Sequence, residues 1–272
     1  MPEWVVNAMP WGDRWSIDYT KRRVTPAPLQ VQWRSESEII KQTVEQAREL
    51  KTFKVLSGWR NELYPILGHG NQGKDISVER SASVLFGIPT FGVHMTVYTK
   101  TQKGTMIWVP RRASTKQTYG GMLDNTVAGG LATGEKPFEC LVREASEEAS
   151  FSEQLVRSNA VPCGTTSHFH IRDSRAGGEV GLLQPQVEYV YDMEIGPHVK
   201  PKPNDTEVED FYLWSVEEVR RVLVLGEFKP NCALVLLDFL IRHGEVTAEN
   251  EADYVEIVSR IHRPLPFPTG PL

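Results

Sequence analysis

The chain has 272 residues, 40% of them hydrophobic and 24% charged. That is an ordinary globular balance, and the length allows one large domain or a domain with an accessory segment. The net charge of −5 excludes a broad electrostatic pull toward nucleic acid or anionic membrane, so a phosphate-bearing ligand would need local cations or a metal.

Residues 1–34 hold four tryptophans and the turn-rich stretch TPAP without a periodic pattern, and are read as irregular. Residues 35–51 predict an amphipathic helix: Ile39, Ile40, Val44, Ala47 and Leu50 space as one apolar stripe. Ser35 with Glu38 makes a capping box, and Ser37 is the other candidate cap. An aromatic-rich segment closed by glycines follows, FKVLSGWRNELYPILGHG, then a short helix or extended turn at 79–87. Gly92–Lys100 and Thr105–Arg111 predict two strands joined by a glycine-containing turn. Asp124–Ala128 predicts a short strand running into Gly129-Gly130, and 137–150 a helix. TTSHFHI, with His168 and His170, reads as strand or loop. Strands are expected at Val187–Ile195 and Phe211–Trp214, helices at 216–223, 229–243 and 254–261, and an unstructured PLPFPTGPL tail. Strands interleaved with helices at irregular spacing point to an α/β or α+β sandwich.

No run reaches a signal h-region or the ~20 apolar residues of a membrane span, which predicts a cytoplasmic protein. Cys140, Cys163 and Cys232 make a poor disulfide framework, fit no zinc spacing, and read as small packed side chains. His94, on the strand GVHMTVY, reads as a structural residue.

The chemistry concentrates at 129–151, GGLATGEKPFECLVREASEEASF. At about 100° per residue, Glu144, Glu147 and Glu148 share one helix stripe, beside an apolar stripe of Phe138, Leu141, Val142, Ala145 and Ala149. Three carboxylates at such spacing repel one another. Nothing else in the helix is expected to balance them, and a hard divalent cation with oxygen ligands would. Arg143 is expected off to one side, paired with Glu135. The competing reading is a solvated acidic helix face. The segment resembles the Nudix box: Gly, five residues, Glu, seven residues, then Arg-Glu-U-x-Glu-Glu-x-Gly-U, where U is bulky and apolar. Gly129, Glu135, Arg143, Glu144, Glu147, Glu148 and Phe151 match, Ala145 is small for U, and Ser150 stands where the pattern has glycine. From residue abundances of roughly 5–7%, a chance match in such a chain is on the order of 10⁻⁵. Serine disfavours the left-handed helix end that glycine tolerates, so a modest backbone change is expected there.

Beyond the box, GWRNELYP (58–65), ERSASVLFG (79–87), FGVHMTVY (91–98), RRASTKQTYGGMLDNTVAGG (111–130), QVEYVYDMEI (186–195) and FKPNCALVLLDFLIRHG (228–244) resemble the thiamin-pyrophosphokinase-related Nudix proteins of fungi and plants, over about residues 53–263. The resemblance implies an N-terminal accessory region (1–90), a Nudix domain (91–246) with a mixed β-sheet between helices, and a C-terminal helix and Pro-rich tail (247–272). It implies Mg²⁺-dependent hydrolysis (Mn²⁺ as a substitute) of a small organic diphosphate, specifically damaged thiamin diphosphate analogues of the oxo or oxy type. An oxidised purine nucleoside diphosphate, an ADP-ribose-type nucleotide, and a catalytically inactive binding protein are the alternatives. Nucleic-acid and membrane partners are not expected; a homodimer is left open.

By the same resemblance Glu144, Glu147 and Glu148 bind metal with help from the Gly129 carbonyl. Glu147 or Glu148 serves as base, and Arg143 with Glu135 braces the loop. A further carboxylate from outside the helix would be Glu188, Glu207 or Glu209, with Glu207 favoured. Arg111, Arg112 and Lys116 would hold substrate phosphates. Trp59, Arg60 and Glu62 would stack on and hydrogen-bond a heteroaromatic ring, against the competing reading of a buried tryptophan with a structural ion pair.

Overall fold

In the computed structural model of the protein, residues 1–26, 36–68 and 76–269 are described. The expected Ser35 cap and the end of the glycine-closed segment lie outside them. The chain divides into two compact units: Met1–Thr90 with His170–Pro185 and Pro266–Leu272, and Phe91–Phe169 with Gln186–Leu265.

The first unit contains α1 (Glu3–Ala8), β1 (Trp15–Asp18), β2 (Arg23–Pro26), α2 (Glu36–Glu49), β3 (Leu63–Pro65), β4 (Ser77–Glu79) and α3 (Ser83–Phe86). The expectation of an irregular start is therefore corrected: β1 and β2 pair antiparallel. The tryptophans supply the reason. Trp15 packs edge-on against Trp11 and donates its Nε1–H to Thr43 Oγ1 of α2 (2.8 Å), while Trp11 Nε1 donates to the Val6 carbonyl (2.7 Å). Scattered aromatics thus do by side-chain docking what periodicity does elsewhere. The predicted stripe of α2 is buried at Ile39, Ile40, Val44 and Ala47, whereas Leu50, just past the last turn, is 63% exposed. Ile40, Val44 and Ala47 meet Val5, Phe53, Leu56, Val78 and Leu85 in one core. α3 ends on Gly87 in the left-handed conformation (φ 64°), as a glycine-closed helix should.

The second unit is built on β5 (Thr90–Thr101), β6 (Gly104–Arg112), β7 (Val127–Gly130), α4 (Pro137–Ala149), α5 (Glu153–Asn159), β8 (Ala160–Ile171), β9 (Leu183–Glu194), β10 (Val208–Ser215), α6 (Val216–Val224), α7 (Pro230–Arg242) and α8 (Tyr254–Ile261). Five strands run in the order β10-β6-β5-β9-β8, and β7 pairs β5 antiparallel beside them. The expected helix-flanked sheet is present. Two expectations move. The β7 ladder begins at Val127 rather than Asp124, because the preceding polar residues bond through side chains: Thr126 Oγ1 donates to the Trp108 carbonyl (2.6 Å) and accepts from Val97 N–H (3.0 Å). The helix α5, capped by Ser152, was not read from the sequence.

Alternation along the strands assigns the two sheet faces. Tyr98 and Asp192 point to α7, where Tyr98 meets Phe239 (5.4 Å) and Asp192 accepts from Arg242 and His243. Tyr191, of opposite parity, meets Phe138 of α4. α8 is tied down at its end, where Arg263 N–H donates to the Ser167 carbonyl (3.0 Å) and His262 faces Asp238 (3.2 Å). No helix among the described residues is long and apolar enough to cross a membrane.

Phe239 is fully buried between Tyr98 and His243. Phe239→Ala should cost about 3–5 kcal/mol through lost transfer energy and an unfilled cavity. Urea denaturation followed by circular dichroism measures it.

Candidate functional site

The junction of β7 and α4 places the box. Pro137 opens α4 at its first position, where its missing N–H costs nothing. Gly129, near the end of β7, has no room for a side chain: a Cβ there would lie 2.2 Å from the Glu144 carboxyl carbon. Glu144 therefore lies directly on bare backbone, which explains the glycine by close approach rather than by φ. At the far end, Ser150 itself takes the left-handed conformation (φ 57°, ψ 26°) and its hydroxyl donates to the Lys202 carbonyl (2.9 Å). The expected backbone change does not occur. Serine bears a conformational cost of roughly 1–2 kcal/mol, offset in part by that hydrogen bond.

Arg143 pairs with Glu135 through two parallel bonds (2.9 and 3.1 Å). It also donates through Nη1 to Glu144 (2.8 Å) and Glu147 (3.0 Å). The expectation that nothing in the helix balances the carboxylates is corrected for two of the three: the guanidinium that braces Glu135 also serves Glu144 and Glu147. Burial works against the Glu135 charge, but the Arg143 hydrogen bonds and charge outweigh it and hold that carboxyl below its usual range.

Glu148 is left outside this arrangement. It is 7% exposed and accepts one hydrogen bond, from the Ala128 N–H (2.8 Å). Burial first, then the charges of Glu144 and Asp124, push its carboxyl well above the ordinary value, and Glu207 adds to the effect. Glu148 lines a small, open cleft together with Arg112, Asp124, Asn125 and Glu207.

Arg112 reaches this cleft while paired with Asp124 and donating to the Thr118 carbonyl (3.1 Å). Lys116 forms an ion pair with Glu207, whose own carbonyl accepts from the Ala113 N–H (2.9 Å). Arg112, Glu148 and Glu207, far apart in sequence, thus meet around one opening, and Lys116 is tied to it through Glu207. Arg111 does not join them. Alternation along β6 turns it the other way, where it donates to the Gly121 carbonyl (2.7 Å) and sits over the Tyr212 ring. Glu188 is not among the residues lining the cleft: it is buried, with one oxygen on Asn231 Nδ2 (2.9 Å) and the other facing His94 Nε2 (3.4 Å). Trp59, Arg60 and Glu62 belong to the first unit. Arg48 lies over the Trp59 ring (4.6 Å), Glu79 accepts from the Arg60 N–H, and Glu62 pairs with Arg80.

Asp124 and Asn125 were missed by sequence reasoning, which took DNTVA for a strand. A run of three polar residues ahead of VAGG was the available signal, but its burial was not legible. Asp124 is held well below the usual carboxylate range: burial opposes its charge, and Lys229 and Arg112 outweigh that.

The donor set fits a hard divalent cation. Glu144, Glu147 and Glu148 offer oxygen alone. They are graded from exposed to buried, and Glu148 sits near the carboxylates of Glu144, Asp124 and Glu207, with the Ala128 N–H and the charge of Arg112 against them. Gly129→Ala should displace Glu144 and weaken Mn²⁺ binding roughly 10–100-fold. Gly196→Ala, whose Cβ meets nothing within 4 Å, should leave it unchanged. Calorimetric titration decides: native affinity in Gly129→Ala would show that the close approach does not position a ligand.

A family profile described as NUDIX domain matches residues 90–232, and one described as domain of unknown function (DUF4743) matches residues 12–90. An uncharacterized Saccharomyces cerevisiae protein is 42% identical over 220 residues, covering 79% of this chain and 64% of that protein. Nudix hydrolase 20, chloroplastic, of Arabidopsis thaliana is 36% identical over 208 residues, covering 76% of this chain and 53% of that protein. The chain thus spans less than two thirds of the length of these curated relatives. A solved Deinococcus radiodurans structure aligns with a TM-score of 0.43 at 19% identity, over 75% of this chain and 100% of that one. The NUDIX profile covers more than half of the chain and takes in the whole carboxylate segment, so the chain belongs to the Nudix family, with an accessory segment ahead of its Nudix domain.

Proposed function

We propose that the protein hydrolyses a phosphoanhydride bond in a small organic diphosphate, using Mg²⁺ held by Glu144, Glu147 and Glu148 with the Gly129 carbonyl. One observation carries this reading: the buried Glu148 carboxylate shares a single cleft with Arg112 and with the Glu207 partner of Lys116. When bound, the cation supplies charge neutralisation for the phosphate oxygens. Arg112 and Lys116 supply the rest, as cationic donors to the diphosphate oxygens. Water adds to phosphorus, the bridging P–O bond breaks, and the products are a monophosphate ester and inorganic phosphate. Glu148, the box carboxylate that lines the cleft, takes the water proton. Arg143 keeps Glu144 and Glu147 in register without competing for the cleft. Glu207 supplies the carboxylate from outside the helix, freed from Lys116 as substrate engages it. This chemistry uses residues of the second unit alone.

For the organic group, the resemblance of segments across residues 53–263 supports a thiamin diphosphate analogue of the oxo or oxy type. Incubation with Mg²⁺ and oxythiamin diphosphate should release phosphate, and Glu148→Gln should lower the rate about 10²–10⁴-fold. Equal turnover by Glu148→Gln would overturn the role of the cleft. In a panel that includes 8-oxo-dGDP and ADP-ribose, a nucleotide preferred more than ~100-fold in kcat/KM would displace the thiamin assignment and leave the hydrolase reading standing. Lys116→Ala should raise KM with kcat held within about twofold, the signature of lost uniform binding.

A further inference from the structure

The described residues bring together His94 of β5, Asp124 from the segment before β7, and Cys232 from the first turn of α7. One donor atom from each lies within 4.8 Å of the other two, and all three residues are buried. The cysteine had read from sequence as packing, because its partners stand more than a hundred positions away. Cys232 Sγ lies 2.6 Å from Asp124 Oδ1. Arg112 occupies the other oxygen, Oδ2, while Oδ1 faces the sulfur and also accepts from the Asn125 N–H (2.9 Å). On the histidine, Nε2 faces Glu188 (3.4 Å) and Asn231 (3.3 Å), while Nδ1 lies 2.7 Å from Asn125 Oδ1.

We propose that these residues form a second metal site, for a cation of the Zn²⁺ class, separate from the all-oxygen set on α4. Mixed imidazole, thiolate and carboxylate donors suit Zn²⁺, whereas Mg²⁺ takes oxygen. Tetrahedral ligands at zinc bond lengths stand about 3.5 Å apart, so the trio closes on an ion with small side-chain adjustments. Asn125 Oδ1, beside Nδ1, is the fourth donor. A ligating histidine characteristically gives its other ring N–H to a carboxylate, which fixes its tautomer and orientation. Glu188 stands at Nε2 for that purpose and is itself held by Asn231 (2.9 Å). A thiol is a weak hydrogen-bond donor, a poor choice for closing a buried polar network but a strong ligand once deprotonated. The Cys232 thiolate and the Asp124 carboxylate, the latter shared with Arg112 and near Lys229, supply the negative charge, and binding releases the thiol proton to solvent. Asp124 and Asn125 also line the cleft, which supplies an entry path. Four protein ligands make the site structural in character: it fastens α7 to β5 and fixes the Asp124 wall on which Arg112 rests.

The full chain, purified from zinc-supplemented culture and dialysed against Mg²⁺ in metal-free buffer, should retain stoichiometric zinc by mass spectrometry. After exchange with Co²⁺ it should show a sulfur-to-cobalt charge-transfer band in the near ultraviolet. Cys232→Ser should lose the band and the zinc. Cys163→Ser and Glu148→Gln should keep both, the latter separating this site from the carboxylates of α4. The cobalt spectrum of the unaltered protein needs no variant to fold. Absence of the sulfur band there, or stoichiometric zinc retained by folded Cys232→Ser, would overturn the proposal.

Discussion

Negative charge crowded against bare backbone governs the second unit. Gly129 lets the Glu144 carboxylate lie directly on β7, and the same helix carries Glu147 and Glu148 within one turn. Such a row is unfavourable on its own, so the surrounding structure is arranged around its countercharge. Arg143 answers Glu135, Glu144 and Glu147 from the accessible side. It does not reach Glu148, which α4 carries inward to the Ala128 N–H. The split is geometric. A guanidinium on the helix flank spans the outer carboxylates but cannot follow the inner one into the core. What remains is a buried carboxylate facing the cleft, outside the reach of Arg143, on which the proposed metal and base roles both depend.

The two faces of the sheet do different work. The α4 side takes aromatic and aliphatic side chains such as Tyr191 and Phe138, and so gives the carboxylate helix a firm bed. The α7 side is polar to an unusual degree, with His94, Glu188, Asp192, Asn231 and Asp238 buried there. Buried polar groups are tolerable only when each is satisfied. Here they are joined in chains: Glu188 to Asn231 and His94, His94 to Asn125, and Asp192 to Arg242 and His243. One such chain ends in the wall of the cleft at Asp124 and Asn125. The packing of α7, whose Leu236, Phe239 and Leu240 also fill an apolar cluster, is thereby coupled to the position of Arg112 through a few specific polar contacts.

Local patterns made most of the second unit legible. Alternation found β5, β6, β9 and β10, and the 3.6-residue period found α4, α6, α7 and α8, because those residues meet the core at the period of their own element. Positions 1–26 failed for the opposite reason: Trp11 and Trp15 act one at a time, by docking and by indole hydrogen bonds, and leave no period to read. Leu50 looked like part of a stripe, but α2 has already ended there and the side chain faces water.

By itself the sequence determined the spacing of Gly129, Glu135, Arg143, Glu144, Glu147 and Glu148. That spacing is local: a helix of regular pitch puts Glu144, Glu147 and Glu148 on one stripe, with Arg143 beside it, whatever surrounds it. Tertiary structure alone decided which groups join them. Arg111 and Arg112 are adjacent in the chain, yet strand alternation sends one to Tyr212 and the other to the cleft. Glu207 arrives through the pairing of β10 with β6, and Glu188 is drawn instead into the network under α7. His94, Asp124 and Cys232 converge from three separate elements. Contacts of that kind depend on how strands are ordered and on which face of the sheet a helix covers, and no window along the chain carries that information.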